Sequence, residues 1–395
     1  MENYRWTRAE IDLDALRHNL EQFRSVLPPS ISLLAVVKAN AYGHGAVKVA
    51  EEAVRFGVDY LAVAFLDEAL ELRQHGIKAP ILVLGYTPPE GVEAARRYGI
   101  TLAAFDDALL EAAAVTNHSE QPLKVHVKMD TGMGRIGLTD APSVIRYIER
   151  ALNTPGVEVE GLFTHYACAD EHDKSHVLSQ HRRFTEVVEH LAQKNIPVRY
   201  IHAGNSATAI DTPELTYNMV RLGVAMYGMY PSDEVDTSRV QLRPVMSFKT
   251  RVVMVKKVPA GTTISYGAKY AAKEDGETIA TLPVGYADGF SRMLSGKAEV
   301  LLRGHRVPIV GRICMDQCMV RVDDGEAAVG DEVVLFGSQG DEAIMAEELA
   351  DHLGTINYEI TCMLSHRVPR VYLKHGEIVE VDNSLLHFTN RESIS

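Results

Sequence analysis

Between residue 31 and about residue 225, short apolar runs alternate with longer stretches whose apolar positions recur at helical spacing. This alternation predicts repeated βα units, in which a helix follows and covers each strand. The clearest helices are predicted over residues 46–56 and 179–194, and another, over residues 14–26, precedes the first strand. The predicted strands are residues 31–38, 60–64, 80–86, 100–105, 123–130, 157–166, 197–203 and 217–222.

Eight βα units in this length of chain match a TIM (β/α)8 barrel in count and size. After Pro231 the pattern changes to β-branched runs separated by glycine and aspartate turns, which predicts a mostly-β domain. The predicted fold is therefore α/β, with a barrel domain over residues 1–240 and a mostly-β C-terminal domain over residues 241–395. The elements predicted in the second domain are strands at 249–258, 277–282, 299–303, 332–336 and 370–381, and one helix at 345–353.

Composition narrows the range of partners and compartments. The 395-residue chain has a formal net charge of −13, and its 40 Lys and Arg form no long basic run, which argues against nucleic acid or a membrane surface as partner. No signal peptide or membrane span is apparent, so we expect a soluble, cytoplasmic protein. The cysteines are too scattered for a disulfide framework, and we predict no metal site; they are Cys168, Cys314, Cys318 and Cys362.

Polar residues follow several predicted barrel strands at their carboxyl ends, where TIM-barrel enzymes hold their reactive groups. Lys38 closes the first strand. Ser206 follows the seventh strand, and Gly223 and Val224 follow the eighth; a hydroxyl with free backbone amides suits a phosphate monoester. A lysine on the same rim as a phosphate site suggests pyridoxal 5'-phosphate, whose aldehyde would react with the Lys38 amine.

Two segments of this chain resemble a known family. Residues 35–45, AVVKANAYGHG, resemble the cofactor-lysine signature of alanine racemases, and residues 311–317, GRICMDQ, resemble the signature of their second domain. The similarity extends from about residue 11 to about residue 373. The resemblance implies an isomerase that uses pyridoxal 5'-phosphate to interconvert L-alanine and D-alanine, a precursor of peptidoglycan.

The resemblance also implies a two-base mechanism, because racemisation removes a proton from one face of the α-carbon and returns one to the other. Lys38 matches the Schiff-base lysine and first base, and Tyr266 matches the second base. Arg221, held by His165, is expected to face the pyridine nitrogen, toward which a guanidinium can only donate. The residues that match the family's phosphate ligands are Tyr42, Ser206, Gly223, Val224 and Tyr358.

Arg135 and the backbone amide of Met315 match the groups that hold the substrate carboxylate in the family. Lys128 matches a lysine that is carbamylated in many members, which would make it a carboxylate partner for Arg135. The resemblance also implies a homodimer, in which the second domain of one subunit completes the active site of its partner. Further residues in the matching segments are Cys314 and Asp316, and the expected pocket walls are Tyr266, Tyr286 and Tyr358.

Other functions stand as alternatives. The first alternative is racemisation of serine or another small amino acid. One methylene more or less in the substrate changes the free energy of discrimination by only about 1 to 3 kcal/mol, so a pocket for alanine excludes such substrates weakly. Residues 132–137, GMGRIG, match the G-x-G-x-x-G fingerprint of an NAD-dependent oxidoreductase, with Glu158 and Glu160 beyond it, but no helix is predicted before Asp140. A decarboxylase of the same architecture would be expected to carry an acidic residue in place of Arg221, and a non-enzymatic cofactor carrier would need only the barrel.

Overall fold

The computed structural model describes residues 4–115, 121–273 and 276–386. The described chain divides into two compact units. The barrel unit comprises the described parts of Ala15–Ala41 and Gly45–Arg243. The β unit comprises the described parts of Met1–Asp14 and Pro244–Ser395, together with Tyr42–His44.

Strands and helices alternate in the first half of the chain, and strands dominate the second half. The strands are β1 (Arg8–Asp12), β2 (Ser32–Val36), β3 (Tyr60–Val63), β4 (Ile81–Val83), β5 (Ile100–Ala104), β6 (Leu123–Lys128), β7 (Val157–Phe163), β8 (Tyr200–His202), β9 (Met219–Leu222), β10 (Met246–Arg251), β11 (Met254–Val258), β12 (Thr263–Ile264), β13 (Tyr270–Ala271), β14 (Glu277–Leu282), β15 (Glu299–Leu302), β16 (His305–Val310), β17 (Cys318–Val322), β18 (Glu332–Gln339), β19 (Glu342–Ile344), β20 (Arg370–Lys374) and β21 (Glu377–Asp382). The α-helices are α1 (Leu13–Val26), α2 (Ala46–Phe56), α3 (Leu66–Gln74), α4 (Val92–Arg97), α5 (Asp107–Val115), α6 (Ala141–Leu152), α7 (Ser175–Gln193), α8 (Ser206–Asp211), α9 (Ala346–Leu353) and α10 (Asn357–Cys362). Short 3-10 segments are Pro89–Gly91, Pro213–Leu215, Val224–Tyr227, Tyr266–Ala268, Tyr286–Asp288, Arg292–Leu294 and Ser384–Leu386.

The barrel unit is built on a parallel eight-stranded sheet in the order β8-β7-β6-β5-β4-β3-β2-β9. Its register places Leu34 of β2 opposite Tyr60 of β3 on one side and Arg221 of β9 on the other. Strands β3, β4 and β5 are buried along their whole length, as expected where helices cover one face and the barrel interior lies behind the other. All eight predicted barrel strands are present, although most are shorter than predicted, and the TIM-barrel prediction is confirmed.

The β unit contains an eleven-stranded sheet in which β1 lies between β10 and β20. Arg8 to Asp12 therefore belong with the C-terminal strands, whereas residues 1–240 were predicted to form one domain. The reason is pairing across the chain, because β1 runs antiparallel to β10 and parallel to β20. Residues 1–3 and 387–395 of the two predicted domains lie outside the described residues.

Several predictions for the second domain were wrong in detail. The run 249–258 contains a break between β10 and β11, because Val252 donates its N–H to Asp331 and Val253 donates to Thr281 on a different strand. The run 370–381 is a hairpin of β20 and β21, with His375 and Gly376 at positive φ in its turn. Strands β16 and β17 and helix α10 were not predicted. No helix in the part of the chain that the structure describes is long and apolar enough to cross a membrane.

Candidate active site

Lys38 follows strand β2 and begins a turn with an uncommon backbone. Residues 39–42 all have φ between 52° and 54°, so the turn is left-handed. This conformation costs roughly 1–2 kcal/mol for each residue other than glycine. Asn40 stabilises the turn, since its Oδ1 accepts the N–H of Ala46 at 2.8 Å and its backbone oxygen accepts the N–H of Gly45 at 2.9 Å. These bonds fix the direction in which the chain leaves Lys38.

Arg221, on β9, is 4% exposed, and its charge is satisfied by neutral acceptors. One terminal nitrogen donates to the backbone oxygens of Thr164 at 3.0 Å and Ala203 at 2.8 Å, and to Nδ1 of His165 at 2.9 Å. The other donates to Nδ1 of His202 at 2.9 Å. Among the described residues, none accepts from the Arg221 Nε and no carboxylate forms an ion pair with the guanidinium. Burial lowers the pKa of Arg221 to about 10, so the group stays protonated at neutral pH.

The two histidines that contact Arg221 are neutral. Each accepts through Nδ1, so each carries its proton on Nε2. Burial and the charge of Arg221 lower the pKa of His165 and of His202 well below the usual range. Lys38 is near enough for its charge to lower the pKa of His165 further, so the structure brings Lys38, His165 and Arg221 together.

Lys128, the last residue of β6, is a buried amine that forms no ion pair within the described part of the chain. Its Nζ lies 4.2 Å from the centroid of the Phe163 ring, and the side chain forms no ion pair with any carboxylate in the described ranges. Burial and the charges of Arg221 and Arg135 lower the pKa of Lys128 well below its usual range. A lowered pKa increases the fraction of the amine that is unprotonated, which is its nucleophilic form.

Arg135 is exposed and lies in the loop after β6. The carboxylate of Asp130 holds the backbone of this loop. Asp130 accepts the backbone N–H groups of Gly132, Met133 and Gly134 at 2.9, 2.9 and 3.1 Å. Its second oxygen accepts the N–H of Arg135 at 2.9 Å. Burial alone would raise the pKa of Asp130, but these four bonds outweigh it and lower the pKa. Asp130 is not among the site residues predicted from the sequence.

Ser206 joins the loops that follow β8 and β9. It is the first residue of α8, whose N-cap is Asn205. The Ser206 Oγ accepts the N–H of Gly223 at 3.0 Å and that of Ala225 at 3.5 Å, on either side of Val224. Since these contacts use the oxygen as an acceptor, the hydroxyl proton of Ser206 can be donated to an anion. The predicted phosphate-binding residues of the barrel unit are therefore brought together.

In the β unit, Tyr42 and Tyr358 lie side by side, with ring centroids 6.0 Å apart. The close approach depends on Gly43, because a Cβ there would lie 2.1 Å from the carbonyl oxygen of Thr361 in α10. Arg370 holds the same turn by donating from Nε to the Gly43 oxygen at 3.1 Å. Burial raises the pKa of Tyr42 above its usual range, so its phenol is protonated and can donate to an anion.

Tyr266, Tyr286 and Met315 are all exposed in the β unit, by 70%, 41% and 53%. Two of the segments that carry them are joined: the Tyr286 N–H donates to the Cys314 oxygen and the Ala287 N–H donates to the Met315 oxygen, both at 3.1 Å. Gly285 allows this contact, since a Cβ there would lie 2.3 Å from the Cys314 oxygen.

The segment before Tyr266 contacts the same region. The Ser265 hydroxyl donates to the Arg312 oxygen at 2.6 Å and lies 3.4 Å from Sγ of Cys314. Asp316, in the same segment, accepts a hydrogen bond from Arg367 at 2.7 Å. The predicted residues of the β unit thus form two groups, one at Tyr42 and Tyr358 and one around residues 265–316.

The oxidoreductase alternative finds no support in the structure. No helix begins within GMGRIG, and the next helix, α6, starts only at Ala141. Glu160 lies inside the barrel, where it binds Lys124, His126 and Tyr60 rather than facing a ribose site. Sequence reasoning missed His126, His202 and Asp130, and it considered Glu160 only as a ribose-binding residue. Their signal was a charged or imidazole side chain within or just after an otherwise apolar strand.

The described residues contain no group of three or more His, Cys, Asp or Glu side chains that could hold a metal ion. The four cysteines are free thiols.

Comparison with known proteins gives a consistent result. The sequence matches the alanine racemase N-terminal domain family over residues 11–231 and the alanine racemase C-terminal domain family over residues 245–372. It is 46% identical to alanine racemase 2 of Caldanaerobacter subterraneus over 381 residues, 96% of this chain and 98% of that protein. It is 48% identical to the alanine racemase of Desulfovibrio desulfuricans over 370 residues, 93% of this chain and 98% of that protein.

Solved structures agree with the sequence comparison. The alanine racemase of Clostridium difficile superposes with a TM-score of 0.92 at 44% identity, covering 98% of this chain and 100% of that one. The alanine racemase of Bacillus anthracis with bound L-Ala-P gives a TM-score of 0.92 at 42% identity, covering 98% of this chain and 99% of that one. Alanine racemases are pyridoxal 5'-phosphate-dependent isomerases that interconvert L-alanine and D-alanine. By fold, by sequence over nearly its whole length and by both domain matches, this chain belongs to the alanine racemase family.

Proposed function

We propose that the chain racemises alanine with Lys38 and Tyr266 as bases on opposite faces of the substrate α-carbon. The observation that carries this proposal is the environment of Arg221: a buried, protonated guanidinium held by neutral histidines and backbone oxygens, with its Nε left to donate. A donor-only group suits an unprotonated pyridine nitrogen and does not suit a protonated one. An unprotonated pyridine nitrogen makes the cofactor a weaker electron sink. Proton transfer is then favoured over the side reactions that a protonated pyridine ring promotes.

The residues present fit pyridoxal 5'-phosphate. The Lys38 amine would hold its aldehyde and the Arg221 Nε would face its ring nitrogen. When bound, the cofactor supplies an electron sink that acidifies the α-proton of the amino acid. The phosphate ligands would be the Ser206 hydroxyl, backbone N–H groups in the segment of Gly223 and Val224, and the phenols of Tyr42 and Tyr358. The raised pKa of Tyr42 supports its assignment as a hydrogen-bond donor.

Arg135 would bind the substrate carboxylate, and the N–H of Met315 would be a second donor to it. We propose that Lys128 is carbamylated: its unprotonated amine attacks the carbon of CO2, and an N–C bond forms as one C=O π bond opens and places the electron pair on oxygen. The nitrogen then releases a proton to solvent, which leaves a carbamate anion. The support is a buried amine of lowered pKa that lies beside cations and has no described carboxylate as partner. The negative charge of a carbamate would offset part of this positive charge, and the carbamate would accept a hydrogen bond from Arg135.

The proposed assembly is a homodimer with two shared active sites. Tyr266, Tyr286 and Met315 support this assignment, because large apolar side chains exposed together commonly mark a surface that a partner covers. In the dimer, Tyr266 of one subunit would be the base opposite Lys38 of the other. Cys314 and Asp316 would hold the Met315 segment, and Tyr286 and Tyr358 would limit the substrate to a small side chain.

The proposed setting is the cytoplasm, with the D-alanine product used for peptidoglycan precursors. The four free thiols are typical of a reducing compartment. The relatives at 46% and 48% identity are bacterial proteins, which fits a cell-wall requirement for D-alanine.

A direct test is to reduce the purified holoenzyme with borohydride and map the modified peptide by mass spectrometry. The proposal predicts a pyridoxyl group on Lys38. The matched control is Lys78→Ala, which removes an exposed lysine of the same unit and should leave the labelling unchanged. A pyridoxyl group on another lysine would overturn the assignment of Lys38.

A further inference from the structure

A chain of buried polar side chains runs through the barrel unit, where TIM barrels usually have bulky apolar residues. Nδ1 of His126, on β6, lies 2.9 Å from Nε2 of His202, on β8. Nε2 of His126 lies 3.4 Å from Oε2 of Glu160, on β7. Both histidines are fully buried and Glu160 is 4% exposed. At its other end, this hydrogen-bonded series of side chains reaches Arg221 through Nδ1 of His202.

The direction of every hydrogen bond in this chain follows from Arg221. A guanidinium only donates, so Nδ1 of His202 is an acceptor and its proton is on Nε2. That proton is donated to Nδ1 of His126, which leaves the second proton on Nε2 of His126. The His126 Nε2 then donates to Glu160, the carboxylate at the end of the chain. The order of donation is therefore Arg221 to His202 to His126 to Glu160.

Glu160, at the far end of this hydrogen-bonded series, is a charged acceptor with several donors. Lys124 donates to Glu160 at 2.6 Å and the Tyr60 hydroxyl donates to it at 2.7 Å. Burial raises the pKa of Glu160, but the hydrogen bonds from His126, Lys124 and Tyr60 bring it to about 2. Glu160 is thus an ionised acceptor at neutral pH, and the direction of the chain is set at both ends.

The backbone is shaped to hold His126. A Cβ at Gly161, the residue after Glu160, would lie 2.5 Å from the His126 ring, so only glycine leaves room for the imidazole. The pairing of β6 with β7 shifts register between Val125 and His126, which places the ring opposite this glycine. His202 is held from the other side by Phe163, whose ring stacks on it with the two centroids 4.9 Å apart.

We propose that His126 and Glu160 are positioning residues for racemisation: they fix His202 as the Nε2-protonated tautomer, so that its Nδ1 accepts from Arg221 and holds the guanidinium in one orientation. The inference rests on the function proposed above for Arg221. Without an acceptor at His126, the Nε2–H of His202 would be buried without a partner. The other tautomer of His202 would then turn an N–H toward the Arg221 donor, and the guanidinium would lose one of its anchors.

The first test reads the tautomers without turnover. The holoenzyme is labelled with 15N-histidine, and two-bond 15N–1H correlations separate Nδ1–H from Nε2–H rings. We expect His126 and His202 to be neutral Nε2–H tautomers at neutral pH, because burial lowers the pKa of both. A proton on Nδ1 of His202, or on both of its nitrogens, would overturn the proposal. The His126→Phe variant assigns the His126 signals.

The second test measures the effect on catalysis. His126→Phe fills the same space but cannot accept from His202, whereas His126→Asn offers an amide oxygen near the position of Nδ1. We expect kcat to fall about tenfold in His126→Phe with KM nearly unchanged, and to recover most of that loss in His126→Asn. The control is Val125→Ala, a buried apolar neighbour on the same strand that tests for a general loss of packing.

The outcomes separate this inference from the proposed function. Equal kcat values in His126→Phe and the wild type, or equal losses in the Phe and Asn variants, would overturn the positioning function. Borohydride labelling away from Lys38 would instead overturn the proposed function, while the histidine tautomers would still be measurable in the same protein.

Discussion

The carboxylate of Asp130 accepts the backbone N–H of Arg135 at 2.9 Å, five residues later in the chain. With its other oxygen it also accepts three N–H groups of the intervening loop. Arg135 is exposed, so its position depends on this loop rather than on packing. The substrate-binding function proposed for Arg135 requires a preorganised backbone that keeps the geometry of the side chain.

Asp130→Ala should therefore weaken substrate binding. Losing the charged acceptor should cost about 1–2 kcal/mol of binding, which raises the KM for alanine roughly five- to thirtyfold with a smaller change in kcat. Steady-state kinetics in both directions measure the effect. Asp140→Ala is the matched control, because Asp140 also accepts a backbone N–H, that of Ser143 at the start of α6, but does not shape the Arg135 loop. Equal KM values for the two variants would argue against the positioning of Arg135 by Asp130.

Tyr266→Phe should retain the cofactor and lose proton transfer on one face of the substrate. The ring is kept and only the hydroxyl is removed, so we expect a fall in kcat of about a hundredfold or more in both directions. Exchange of the α-proton with solvent should persist for the enantiomer that Lys38 deprotonates. Tyr270→Phe, in the neighbouring β13, is the control. Near-normal racemisation by Tyr266→Phe would exclude this tyrosine as a base.

Mixing two inactive variants tests the shared active site. If Lys38 and Tyr266 of one site come from different subunits, a heterodimer of Lys38→Ala and Tyr266→Phe contains one intact site and one doubly altered site. Activity should therefore reappear when the two variants are unfolded together and refolded, and should be absent from each refolded alone. If both bases came from one chain, each site would carry a lesion and mixing would restore nothing.

A high-resolution electron density map tests the modification of Lys128. We expect density for a carbamate beyond Nζ and contact between that group and Arg135. Removal of CO2 from the buffer should lower activity, and added bicarbonate should restore it, because carbamate formation is reversible. A bare amine at Lys128 in an active crystal would contradict the prediction.

Glu160 should make stability depend on pH in the acid range. Its pKa in the folded protein is about 2, below its ordinary value of 4.5, so its contribution is fully present above about pH 4.5 and is lost as the pH falls toward 2. The contribution is on the order of 3 kcal/mol. Denaturant unfolding of wild type and Glu160→Gln should show a gap in the free energy of unfolding that narrows through this window. A gap that is constant with pH would show that the charge of Glu160 is not what stabilises the fold.

The barrel could be predicted because its strands are buried on both faces and are therefore nearly continuous apolar runs. The position of Lys38 at the end of such a run also predicts that it lies at the carboxyl ends of the barrel strands, and the positions of Ser206 and Gly223 follow from the same rule. In the second domain, β16 escaped prediction because its residues include His305, Arg306 and Pro308 rather than an alternating apolar pattern.

Other features depend on contacts that a linear pattern does not contain. Strand β1 is defined by pairing with β10 and β20, which lie more than 200 residues away in the chain. The relation of His126 to His202 requires neighbouring strands in register and a glycine at position 161. Asp130 is the last residue of a predicted strand, but its effect on Arg135 depends on the loop conformation that brings four N–H groups to one carboxylate.

The reaction of the holoenzyme with L-alanine in deuterated water, with D-alanine and α-deuterium followed together, tests directly whether two bases act on opposite faces of the α-carbon. Two-base transfer predicts D-alanine that carries deuterium at its α-carbon, because the proton leaves to one base and the new one arrives from the other. Formation of D-alanine that retains the original α-hydrogen would contradict transfer through two separate bases. Deuterium in L-alanine without inversion would exclude Tyr266 as the opposite base, and the absence of both products would exclude alanine as the substrate.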